Sequence, residues 1–305
     1  MKRQSRMRLL AQTYSPEAVE WLRINKIATV ISSFERAFNL VDEHGRLISV
    51  VAPESRNGPF AIVLFEFPES LDQIICVGAA AVVGKTSLIV DTLTIDFSEA
   101  KIWCPRPDWD HVLEDSNTVT KTISDLKVNL QCNASYLSLA PVLFSSRCEM
   151  DFFCAKASDA AYKICHGIAN SYTQDIVLGV NAIAGLGIGL TPSGDDFLVG
   201  IIHALWTLYE SDQAIKFSNL ITGAAIPRTT MLSAAWLREA SKGHASESWH
   251  DLLDGLTKGH ANDVERACMR ILAVGSTSGA DALTGFLLTI NFFGDFQRKR
   301  SVSYK

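Results

Sequence analysis

Between Gly185 and Gly200 the chain reads GLGIGLTPSGDDFLVG, placing two hydroxyls, Thr191 and Ser193, just ahead of two adjacent carboxylates, Asp195 and Asp196. A helix cap accounts for the hydroxyls and acids, but it has no use for a run of glycines that costs chain entropy on folding. Glycines ahead of a helix suit a tight turn or a close backbone approach to a ligand, and the N–H groups at a helix start attract anions. Gly187, Gly189 and Gly194, with Thr191 and Ser193, therefore predict a site for a phosphate, carboxylate or carbamoyl group. Two carboxylates would repel such a group unless a cation lies between them. Asp195 and Asp196 are thus read either as ligands of Mg²⁺ carrying a phosphorylated substrate, or with one of them as a base. The sequence leaves the metal open.

A second stretch echoes the first. SGADALTG, Ser278 to Gly285, matches SGDDFLVG at Ser, Gly, the second Asp, Leu and the final Gly. This predicts a pseudo-symmetric pair of loop–helix elements that adds Ser278, Gly279 and Asp281 to the candidate residues. Each Ser with an Asp three residues on also fits a capping box, the plainer reading of the four residues. Asp195 is replaced by Ala280 in the second copy, so Asp195 is the residue specific to the first loop. Between the copies, PRTTMLSAAWLREASKGH offers Arg228, read either as a bidentate anion contact or as a solvated surface arginine, and Thr229, Thr230 and Ser233 in the first turn of a helix.

Positioning these residues falls to two unlike halves. Up to about residue 115, short β-branched runs such as KIATVISSF, FAIVLFEF and TSLIVDTLTIDF are broken by turn signals, which predicts a mostly antiparallel sheet or small barrel. From Ser116 onward apolar residues recur at helical spacing, as in DFFCAKASDAAYKICHGIANSY. The expectation is an α+β protein: a β-rich domain at 1–115 and a mainly helical domain at 116–305, with the boundary within 115–150. VGKTSL (Val83 to Leu88) has the wrong glycine spacing for a phosphate-binding loop and precedes a strand, so it reads as a β-turn.

Composition narrows the class. Hydrophobic residues make up 48% and the net charge is −5, which suits a packed core and argues against a broad nucleic-acid surface. The tail QRKRSVSYK reads as a solvated terminus. Seven cysteines without a CxxC pair predict free thiols in a reducing cytoplasm. The opening MKRQSRMRLLAQTYSPEAVEWL has no apolar core long enough to be expected as a secretory signal, and the longest apolar run, IICVGAAAVVG, falls short of the roughly 20 residues that span a bilayer. The histidines, His111 and His203 among them, form no zinc motif, and His203 reads as a buried structural residue.

Taken in order, GLGIGLTPSGDDFLVG, RTTMLSAAWLREA and GSTSGADALTG, with SSFERAFNL and KIWCP in the first half, resemble the AllH-type subunit of oxamate carbamoyltransferase. That family was long described only as a bacterial domain of unknown function. The resemblance covers most of the chain. It implies one component of a multi-subunit enzyme of anaerobic allantoin catabolism, which converts oxalurate and phosphate to oxamate and carbamoyl phosphate. Its partners would be small anions and the other subunits, with neither nucleic acid nor membrane involved. Carried over by position, the family's site falls on Gly189, Thr191, Ser193, Gly194, Asp195 and Asp196, on Thr229, Thr230 and Ser233, and on Ser278, Gly279 and Asp281. Ser276 is a departure, since histidine is common in the family at that place. The same loops also fit a non-catalytic phosphate- or carboxylate-binding subunit, or a scaffold protein.

Overall fold

The computed structural model describes residues 7–67, 70–110, 112 and 116–293; the basic tail and His111 lie outside them. The chain divides between Arg106 and Pro107 into two compact units.

The first unit is a strand-rich domain of β1 (Met7–Tyr14), α1 (Pro16–Ile24), β2 (Ile27–Phe34), β3 (Ala37–Val41), β4 (Leu47–Val51), β5 (Ala61–Leu64), β6 (Ala80–Val83), β7 (Ser87–Val90), β8 (Leu93–Asp96) and β9 (Lys101–Ile102). The strand order is β5-β4-β3-β2-β6-β7-β8-β1-β9, and β1 also pairs with β5, so the sheet closes on itself as a barrel. Most neighbours run antiparallel, while β1–β8, β1–β9 and β4–β5 are parallel. The register of β1 against β5 shifts between Ala11 and Thr13, a bulge of the kind that lets one strand bend between neighbours. Closure follows from alternation: Phe38, Leu40, Ile48, Val50, Leu88, Val90 and Ile95 all point into one apolar core. Val83–Leu88 is the expected hairpin turn, with the Gly84 N–H donating to the Ser87 carbonyl at 2.7 Å. Ser15 caps α1 by accepting from the Ala18 N–H, and buried Trp21 donates its indole N–H to the Arg46 carbonyl at 3.0 Å.

The second unit is helical: α2 (Ser116–Asn133), α3 (Pro141–Phe144), α4 (Phe152–Asn170), α5 (Thr173–Ile183), α6 (Ser193–Leu208), α7 (Ser211–Ala225), α8 (Met231–Ser241), α9 (Glu247–Lys258), α10 (Ala261–Leu272) and α11 (Ser278–Phe293). Two of these, α6 and α11, are buried on nearly every side, as expected of helices whose apolar residues run all round. They are the two helices of the repeat, and they cross at its closing glycines. A Cβ at Gly200 would stand 1.9 Å from the Ala282 carbonyl oxygen, and one at Gly285 would stand 2.1 Å from that of Phe197. Only glycine permits this reciprocal approach, so the last residue of each repeat is fixed by packing. His203 on α6 is buried between Trp109 and Trp249, and desolvation lowers its pKa to about 4, leaving it neutral. No helix among the described residues is long and apolar enough to cross a membrane.

Candidate functional site

The two repeat helices start from the same backbone circuit. After α5, the Leu186 N–H returns to the Ile183 carbonyl at 2.9 Å, and the Gly194 N–H donates to the Leu186 carbonyl at 2.8 Å. After α10, the Val274 N–H returns to Ile271 at 3.0 Å, and the Gly279 N–H donates to Val274 at 3.2 Å. Each new helix thereby abuts the end of the old one. A Cβ at Gly194 would lie 2.0 Å from the Ile183 oxygen, and one at Gly279 would lie 1.8 Å from that of Ile271. Gly185, Gly187 and Gly189 take φ of 70°, 121° and 96°, the left-handed region in which a side chain is strained. The glycines are therefore needed to fold the loops, whatever the loops bind. The N–H groups of Asp195 and Asp196 both turn onto the Pro192 carbonyl, at 2.9 and 3.3 Å.

What the two helix starts bring together is hydroxyl groups. Thr191 Oγ1 lies 3.0 Å from Ser278 Oγ, and Ser193 Oγ makes a longer contact of 3.4 Å with Thr277 Oγ1. The capping box predicted for Ser193 does not form. Pro192 takes the cap position without a side-chain bond, and Ser193 becomes the first helical residue, reaching across to the other copy. All four hydroxyl residues remain half-buried.

Behind each hydroxyl pair sits a carboxyl. Asp281 is fully buried: its Oδ1 accepts from the Leu139 N–H at 2.6 Å, and its Oδ2 has no hydrogen-bond partner. Burial lifts its pKa to about 6, opposed by the Leu139 N–H and the Ser193 and Thr277 hydroxyls. Asp196 keeps some exposure as a residue, yet its Oδ2 is shut away from solvent and also unpartnered. Burial pushes its pKa up to about 8; the charge of Asp281 adds to the rise, while Ser278 and Thr191 oppose it. The pairing of one carboxyl with two hydroxyls is thus repeated.

Asp195 faces elsewhere, because consecutive helical residues point about 100° apart. Its Oδ1 accepts from the Gly185 N–H at 2.9 Å and its Oδ2 from the Thr229 hydroxyl, so both oxygens are engaged. Burial raises its pKa, opposed by Thr229, Gly185 and Ser233. Thr230 caps α8 by accepting from the Ser233 N–H at 3.1 Å and donates its own hydroxyl to the Leu190 carbonyl at 2.5 Å. Ser233 is buried beside the Asp195 carboxyl. The middle motif therefore clamps the glycine loop at both ends. Arg228 is exposed, and its guanidinium donates at 3.1 Å to the Ala224 carbonyl near the end of α7. Ser276 is exposed.

Both oxygens of Asp195 are engaged by protein donors, and among the described residues no group of three or more His, Cys, Asp or Glu side chains is placed to hold a metal ion. Two partners of the site escaped sequence reasoning. Thr277 was signalled by its place inside GSTSG; Leu139 contributes only a backbone N–H from 142 residues away and carried no signal.

Residues 183–290, which hold all three motifs, match the family model described as oxamate carbamoyltransferase subunit AllH. Residues 10–102, which hold all of the barrel but the start of β1, match the AllH family N-terminal domain. No solved structure matches the chain. With the two halves of one family's architecture found in order over most of its length, the chain belongs to the AllH family of oxamate carbamoyltransferase subunits.

Proposed function

We infer that this chain serves a cytoplasmic carbamoyl-transferring complex of allantoin breakdown, and that its paired helix-start loops act on the group being transferred. The reaction is oxalurate plus phosphate to oxamate plus carbamoyl phosphate. The observation that carries this reading is the repeated unit of two hydroxyls backed by a buried carboxyl of raised pKa.

At neutral pH Asp196, with a pKa near 8, holds its proton, so it does not repel an anionic substrate. A phosphate oxygen attacks the carbamoyl carbon, and the charge on the tetrahedral intermediate falls to the hydroxyls of Thr191 and Ser278, beside the protonated Asp196. The bond from that carbon to the amide nitrogen then breaks. The nitrogen leaves as the amide of oxamate and needs a proton, which Asp196 supplies through Thr191 or Ser278. The proton released by phosphate restores Asp196. Asp195 positions the loop through Gly185 and Thr229. Among the described residues no cation is bonded to these hydroxyls, and Arg228 donates back to the end of α7, so the charge of phosphate is met by other subunits of the complex.

A scaffold role has one observation in its favour: the glycines and their N–H groups are consumed by the fold itself. The two readings separate in the reconstituted complex. Asp196→Asn and Thr191→Ala are expected to lower turnover about 100-fold while the chain still melts cooperatively and assembles. Full turnover in both variants would leave only the scaffold role. Thermal-shift titrations with carbamoyl phosphate, phosphate, oxamate and oxalurate identify the ligand that the loops hold.

A further inference from the structure

The barrel carries a cleft of about 410 Å³ between the C-terminal end of α1 and the β6–β7 turn. Its floor includes the buried side chains of Leu22 and Phe97, and its rim holds Arg23, Lys26, Lys85 and Thr86, with no acidic residue among the described residues of the lining. Arg23 is shared with Glu20, its Nε and Nη2 donating at 2.9 and 2.7 Å. The ammonium groups of Lys26 and Lys85 have no protein partner among the described residues. In a chain of net charge −5, unpaired cations gathered on one cleft are not a general surface property. Ligand pockets run from roughly 300 to 1,000 Å³, so this one suits a small molecule rather than a polymer.

We propose that this cleft is a binding site for a phosphorylated small molecule with an apolar or aromatic body, of nucleoside monophosphate size. Lys26, Lys85 and the Thr86 hydroxyl take the phosphate oxygens, and the apolar floor takes the body. The site is independent of the reading given for the helical unit, whose paired loops gather carboxyls and hydroxyls.

The test is calorimetric titration of the full chain with AMP, adenosine and inorganic phosphate. Saturable AMP binding is expected, with phosphate weaker and adenosine weaker still. The double variant Lys26→Ala/Lys85→Ala is expected to weaken AMP at least about tenfold without moving the melting temperature. Lys216→Ala, which removes an exposed lysine from the helical unit, and Asp196→Asn are expected to leave AMP binding unchanged. Absence of saturable AMP binding at millimolar concentration overturns the proposal, as does binding that survives in the double variant. AMP binding lost in Asp196→Asn alone would place the ligand at the paired loops and overturn it equally, whatever the turnover assay shows.

Discussion

The starts of α6 and α11 share a Ser-Gly opening, an Asp with one oxygen shut away from solvent and a closing glycine, but differ in what leads into them. The first has a long loop from Ala184 to Pro192 with three left-handed glycines, tied to α8 through Asp195, Thr229 and Thr230. The second has the short turn from Ala273 to Thr277 and carries Ala280 where the first has Asp195. What the copies share is used alike: glycine for helix contact, aspartate behind a hydroxyl pair. What they do not share is used to anchor the longer loop. The shared residues therefore form a matching base, and the difference between copies lies in the first loop.

Breaking the shared part has the largest effect. Gly200→Ala and Gly285→Ala each push a methyl into a backbone carbonyl that cannot move away, so each is expected to cost about 3 kcal/mol or more in chemical denaturation. Similar losses at both sites confirm a reciprocal crossing; a large loss at only one would break the symmetry. Gly223→Ala, at a place in α7 with nothing within 4 Å, is the control and is expected to gain about 0.5–1 kcal/mol.

Next comes the residue that the copies do not share. Asp195→Ala leaves the Gly185 N–H and the Thr229 hydroxyl without their acceptor, at a cost of about 2 kcal/mol. Thr229→Val removes one of those bonds and is expected to cost less. Equal costs would mean that the Gly185 bond contributes nothing to stability.

The pH dependence sharpens the comparison between the shared acids. Asp196 and Asp281 have folded pKa values raised to about 8 and about 6 from 3.8, so the folded state holds their protons more tightly than the unfolded chain does. Their contribution is fully present below pH 3.8 and is lost as pH rises through about 6 and then about 8. The melting temperature is expected to fall by a few degrees over the upper limb, and Asp196→Asn to flatten that limb. An unchanged slope in the variant would show that Asp196 titrates normally. His203 acts in the opposite direction: lowered from 6.5 to about 4, its contribution is present above pH 6.5 and lost on acidification. The smallest effect belongs to the loop tip, where Ile188 is 96% exposed and Ile188→Ser is expected to change stability by less than about 0.5 kcal/mol.

Much of the architecture was legible because its causes are local. Period-two runs marked the strands, helical spacing marked the second half, and five matching residues marked the repeat. Even the hairpin at Val83–Leu88 followed from glycine spacing and a following strand. The roles of the loop glycines were less legible. Their clustering was read as room for a ligand, but Gly194 and Gly279 stand against carbonyls of the preceding helices, a contact that only packing reveals.

The sequence by itself determined the motifs, their order along the chain and the division into a strand-rich and a helical part. These depend on side-chain type and on neighbours within a few turns. The tertiary structure alone decided that Thr191 meets Ser278, that Asp281 takes an N–H from Leu139, and that Asp195 braces a loop while Asp196 keeps a proton. Two adjacent aspartates have the same intrinsic acidity. They differ here because desolvation and hydrogen bonding depend on which distant segments close around each one, and spacing along the chain does not encode that.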